Sequence, residues 1–150
     1  MAPNALTILM ADDDEDDRMN TRDAFREHHL ANEFHTVNDG EELMDFLHRR
    51  GKYQDAPRPG LILLDLNMPR KDGREALREI KGDPHLRSIP VVILTTSSEE
   101  EDILKTYDLG ANSFVTKPVG FDSLVQLVST MTRYWFQLVE LPPSPDAVHG

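Results

Sequence analysis

The sequence of 150 residues predicts an α/β domain, a five-stranded parallel sheet with five helices distributed over both faces. Three observations carry that prediction. Short apolar runs bounded by turn signals recur five times, and each is too short to be a helix. Segments with helical spacing separate them, and a strand that must run parallel to the last one needs such a crossover. Two of the runs close in acids, at the carboxyl ends of strands where an open parallel sheet places its ligand groups.

The elements follow in order. "LTILMA" (6–11) is the first strand, and "DDDEDD" (12–17) opens a helix over 16–29 with negative charge suited to the helix dipole. "FHTV" (34–37) is the second strand. In "NDGEEL" (38–43), Asn38 or Asp39 supplies a capping oxygen for a helix over 39–50, whose Leu43, Phe46 and Leu47 form one apolar stripe. "GKYQDAPRPG" (51–60) reads as a surface loop inside the domain. "GLILLDL" (60–66) is the third strand, followed by a helix over 73–81. "PVVILTT" (90–96) is the fourth, followed by a helix over 99–109 that Gly110 ends in a left-handed conformation. "NSFVTK" (112–117) is the fifth strand, and a helix over 121–139 closes the fold.

Residues 6–139 are therefore expected to form one domain. Residues 1–5 are an N-terminal tail, and the Pro-rich 140–150 form an extended or disordered C-terminal one. With no cysteine, disulfides and thiolate metal sites are excluded, which fits a reducing cytoplasm. No segment is apolar over the length of a membrane span, so a soluble cytoplasmic protein is expected. The 27 acidic residues against 16 basic ones give a net charge of −11, which disfavours direct nucleic-acid binding. His28, His29, His35, His48, His85 and His149 show no metal spacing and read as surface residues.

Asp12 and Asp13 follow the first strand and Asp65 ends the third. An acid closing an apolar strand has no inexpensive structural explanation. If those strands are neighbours, the carboxylates converge; unit charges about 4 Å apart repel by roughly 4 kcal/mol at an effective dielectric near 20, so a cation or proton must intervene. Hard oxygen donors without His or Cys suit Mg²⁺. Lys117 ends the fifth strand before Pro118, where a cis bond is accessible and would aim the lysine. Thr95 brings a hydroxyl to the end of the fourth. Carboxylates, Mg²⁺ and a cationic side chain are the minimum set for phosphoryl transfer.

This ordered set resembles the receiver domain of two-component response regulators. The matching features are Asp12-Asp13, Asp65 in "LLDLNMPRKDG", Thr95 in "VILTTSS" and Lys117-Pro118 in "FVTKPV". The resemblance implies a flavodoxin-like sheet in the order 2-1-3-4-5. It implies Asp65 as phosphoacceptor, attacking a phosphohistidine on a sensor histidine kinase. Asp13 and Asp65 would give carboxylate oxygens to Mg²⁺, Asn67 its backbone carbonyl, and Asp12 would act through a bound water. Lys117 would pair with Asp65 at rest and with the phosphoryl group afterwards, while Thr95 and Phe114 move as a switch. Thr96 stands where many receivers carry Ala or Gly, and Asn67 with Ser97 are positions that influence phosphoryl lifetime.

The 51–60 loop, the 59–97 segment and Trp135 are most similar to the stand-alone regulators paired with phytochromes, which implies a red-light-sensing bacteriophytochrome kinase as partner. Leu124, Leu127, Val128, Met131 and Trp135 follow one stripe of the last helix, while Tyr134, Phe136, Leu138, Val139 and Leu141 spill around its end. That surplus and the resemblance suggest a homodimer through the helix 4, strand 5 and helix 5 end. Two other readings stay open at this point. One is a Mg²⁺-dependent phosphatase of the haloacid-dehalogenase type, which would need a second acid where Asn67 stands. The other is a receiver-like scaffold that is never phosphorylated.

Overall fold

The computed structural model describes residues 7–27, 33–96, 100–118 and 120–133. Its strands are β1 Ile8–Ala11, β2 Phe34–Val37, β3 Leu61–Leu64, β4 Val91–Thr95 and β5 Ser113–Thr116. Its helices are α1 Glu15–Glu27, α2 Gly40–His48, α3 Gly73–Gly82, α4 Glu100–Asp108 and α5 Phe121–Thr132. All strand pairs are parallel and the order is β2-β1-β3-β4-β5, as expected.

The strands are apolar on both sides because both sides are covered, and their residues alternate between two cores. Leu9, Ile62, Leu64, Val91 and Ile93 pack with Leu43, Phe46, Leu77 and Ile80 of α2 and α3. Ile8, Met10, Leu63, Val92 and Leu94 pack with Ala24 and Phe25 of α1 and with Leu124, Val128 and Met131 of α5. The order reverses at β1 and β3, so a crevice opens beyond their carboxyl ends.

Local chemistry sets the helix starts. Asp14 caps α1, its Oδ1 accepting from the N–H groups of Asp16 (2.9 Å) and Asp17 (3.1 Å). Asp39, not Asn38, caps α2 by accepting from Glu42 N–H at 2.8 Å, while Glu42 accepts from Asn38 N–H at 3.1 Å. Gly110 ends the turn after α4 with φ 105°, as expected.

The 51–60 segment is more than a surface loop. It holds a single 3₁₀ turn, Gly51–Tyr53, and Tyr53 packs its ring 5.2 Å from that of Phe46. Burial pushes the Tyr53 phenol up to about 12. His35 is likewise half-buried, its ring 5.4 Å from Phe46 and its Nε2 2.9 Å from a Glu33 carboxylate oxygen. Ser97, both tails, the last-helix residues from Tyr134 onward, and His28, His29 and His149 lie outside the described residues.

Candidate phosphoryl-transfer site

Register brings the acids together. Ala11 pairs with Leu64, so the next residues, Asp12 and Asp65, leave adjacent strands at the same level. Asp65 N–H donates to Ala11 O at 3.0 Å and Asp12 N–H to Val37 O at 3.1 Å, holding both backbones in the sheet to its last rung. Alternation turns both side chains to the α1/α5 face, the face that Val115 and then Lys117 share on β5. Lys117 is fixed there by its N–H, which donates to Thr95 O at 2.7 Å.

Asp12, Asp13 and Asp65 each offer a carboxylate oxygen within 4.8 Å of the others. Asp12 is fully buried, Asp65 nearly so, and Asp13 is exposed. Asp12 Oδ1 accepts from Asp14 N–H at 2.9 Å. Its Oδ2 is buried and lies 2.7 Å from Lys117 Nζ. Burial raises the Asp12 carboxyl to about 6; the hydrogen bond from Lys117 opposes the rise, and the charge of Asp65 adds to it. Three carboxylates with oxygens this close, two of them buried, fit a divalent cation, and the exposed Asp13 leaves a way in.

Lys117 does pair with Asp65, at 3.5 Å, but two other acids hold it more closely. Its Nζ lies 2.7 Å from Asp12 Oδ2 and donates to Asp17 Oδ2, also at 2.7 Å. Burial acts to lower the ammonium's pKa, and those hydrogen bonds with the charges of Asp12 and Asp65 outweigh it, so the group is held above its ordinary value. The Lys117–Pro118 bond is trans, since no peptide bond among the described residues is cis; the contacts of Nζ aim the lysine instead.

Asp17 and Arg18 are the residues that sequence reasoning missed. Arg18 Nη1 donates to Asp12 O at 2.8 Å and clamps the turn after β1. A signal for Asp17 existed: it stands four residues before Thr21 and seven before Ala24, both buried, so it extends the inner stripe of α1 toward the crevice.

The remaining expected residues are placed as follows. Asn67 is exposed, and its N–H reaches Asp65 Oδ1 at 3.4 Å, so the backbone after Asp65 folds back over the carboxylate. Thr95 is fully buried, on the face of Ile93 opposite to Asp65 and Lys117. Phe114 is half-buried against the α2/α3 core, its N–H donating to the Tyr107 hydroxyl at 3.1 Å. Thr96 is exposed at the rim. Gly73 is required beside Asp65: a Cβ there would lie 2.1 Å from Asp65 O.

The family model for the response regulator receiver domain matches residues 8–129. The chain is 41% identical over 135 residues to response regulator Rcp1 of Synechocystis sp., covering 90% of this chain and 92% of that one. The crystal structure of the phosphorylated cyanobacterial phytochrome response regulator RcpA superposes with a TM-score of 0.88 at 42% identity, covering 93% of this chain and 99% of that one. The Mn²⁺-bound form of Rcp1 superposes with a TM-score of 0.85 at 40% identity, covering 92% and 99%.

Proposed function

The chain belongs to the response regulator receiver family, and from that premise we propose that Asp65 accepts a phosphoryl group from the phosphohistidine of a sensor histidine kinase. The observation that carries this reading is the convergence of Asp12, Asp13 and Asp65 at the crevice of the sheet, with the Lys117 ammonium beside Asp12 and Asp65. An Asp65 oxygen attacks phosphorus, the new P–O bond forms as the P–N bond breaks, and the imidazole leaves with its electron pair. The product is an acyl phosphate on the protein itself.

Lys117 supplies positive charge to the transferring oxygens, and the buried setting makes that charge effective. Asp12, Asp13 and Asp65, with the carbonyl of Asn67, would hold Mg²⁺, which neutralises charge on the acids and the phosphoryl oxygens. The Mn²⁺-bound form of Rcp1 supports a divalent ion of that class. Thr95 and Phe114 act as the switch: the added charge and acceptor oxygens favour a conformation in which the Thr95 hydroxyl turns to the phosphoryl group, and Phe114 repacks behind it.

Similarity to Rcp1 and RcpA supports a red-light-sensing phytochrome as the kinase. The exposed Leu104 and Tyr107 on α4 support a homodimer through the α4, β5 and α5 face. The chain works in the cytoplasm, where such a kinase presents its phosphohistidine, and it is not an enzyme that turns over free phosphate esters. Asn67 stands where the haloacid-dehalogenase type of phosphatase needs an acid to protonate the leaving group.

Incubation with Mg²⁺ and acetyl phosphate tests the reading by intact mass. One phosphoryl group is expected on the protein and none on Asp65→Asn. Equal labelling of the two would show that Asp65 is not the acceptor.

A further inference from the structure

The Lys117 ammonium, which carries three N–H donors, lies among three carboxylates, and the proposed phosphoacceptor is the farthest of them. Asp12 Oδ2 and Asp17 Oδ2 each lie at 2.7 Å, and Asp65 Oδ2 at 3.5 Å. Asp17 differs in kind from the other two. It sits on α1 rather than on a strand end, and it is outside the trio whose oxygens can share a cation. A cation bound by that trio draws on the charge of Asp12 and Asp65 but leaves Asp17 free to hold the lysine. The pair borders a cleft of about 130 Å³ lined also by Asn20, Thr21, Phe121 and Leu124, which leaves the ammonium room to swing.

We propose that Asp17 is a positioning residue that competes with the acceptor site for Lys117. It parks the ammonium toward α1 in the unphosphorylated protein and must release it when phosphoryl oxygens arrive at Asp65. The inference rests on the reading of Asp65 as the acceptor. Its consequence is that phosphorylation is slower than the site's other groups would permit, because part of Lys117's attraction is already spent on Asp17.

Asp17→Asn removes the competing charge and keeps the side-chain volume. The rate of phosphorylation by acetyl phosphate at saturating Mg²⁺ is expected to rise about fivefold, the effect of losing one partly exposed charge pair. Asp16→Asn removes the same charge one residue away, where the side chain is exposed, and is expected to leave the rate within about twofold. Asp17→Glu, which restores a carboxylate, is expected to return the rate toward that of the wild type.

A second readout needs neither metal nor phosphodonor. Urea unfolding in EDTA of wild type, Asp17→Asn, Lys117→Ala and the double variant forms a cycle, in which the two changes are expected to couple by about fivefold in the unfolding constant. Absence of coupling, a rate for Asp17→Asn no higher than that of Asp16→Asn, or a fall in rate each overturns the proposal. Failure of wild type to be phosphorylated at all would instead strike the reading of Asp65, and the cycle would still report on the contact.

Discussion

The six residues "DDDEDD" show how one acidic run divides its labour. Asp12 is buried in the crevice, Asp13 stands at its mouth, Asp14 caps α1, Glu15 and Asp16 are exposed at the positive end of that helix, and Asp17 grips Lys117. Asp12 carries the energetic cost. Its folded pKa of about 6 lies above the 3.8 of the unfolded chain, so the folded state binds more protons between those values. Asp12 is therefore least costly below pH 4, and its penalty grows as pH rises through 6, reaching about 3 kcal/mol for a shift of this size. Metal-free Asp12→Asn should accordingly be more stable than wild type by about 2 kcal/mol at pH 7. Paired urea titrations in EDTA should show that advantage shrinking toward pH 4, and an advantage independent of pH would contradict the assignment. Asp12, Asp13, Asp65 and Lys117 were legible because apolar runs reveal where strands end. Asp17 was only half legible: its place on the inner stripe of α1 points it toward the crevice, but nothing in the sequence pairs it with a lysine 100 residues away.

At the scale of elements, what could be read depended on whether the signal was local. Five strands and five helices follow from alternation and period, and their predicted limits overrun the observed ones mostly by a residue or two because the ends fray into caps. The 3₁₀ turn at Gly51–Tyr53 was hidden: its place in the fold depends on Tyr53 meeting Phe46, a contact that sequence spacing does not announce. Close approaches were hidden too, and α3 offers a test within one helix. Gly73, its first residue, is pressed against the carbonyl of Asp65, so any Cβ must displace the backbone that carries Asp65. Gly82, its last residue, has nothing within 4 Å of an added Cβ. Gly73→Ala should cost about 1–3 kcal/mol by overpacking and also slow phosphorylation of Asp65. Gly82→Ala should stabilise by about 0.5–1 kcal/mol through the unfolded chain and leave phosphorylation alone. Urea unfolding alongside acetyl phosphate labelling separates the two, and equal effects of the two substitutions would refute the contact.

The whole molecule is a strongly acidic body with an apolar spot on one face. Leu104 is 61% exposed and Tyr107 47%, one helical turn apart on α4. Tyr107 is held in place, its hydroxyl accepting from Phe114 N–H on the edge strand β5. The ring thus covers part of an open sheet edge and leaves its own face to solvent. Single exposed apolar residues need no explanation, but two on neighbouring turns beside an edge strand, one of them held in place, suit a partner surface. A second copy must bring that surface together against its own charge of −11, so the association should tighten as salt screens the repulsion. Sedimentation equilibrium should therefore find a dimer whose dissociation constant falls between low and physiological salt. Leu104→Glu should move the population toward monomer, with an unchanged circular dichroism spectrum, because the side chain it replaces is largely exposed in the monomer. A dimer unaffected by Leu104→Glu would place the interface elsewhere, and a dimer weakened by salt would show that charge pairs rather than this apolar surface hold it together.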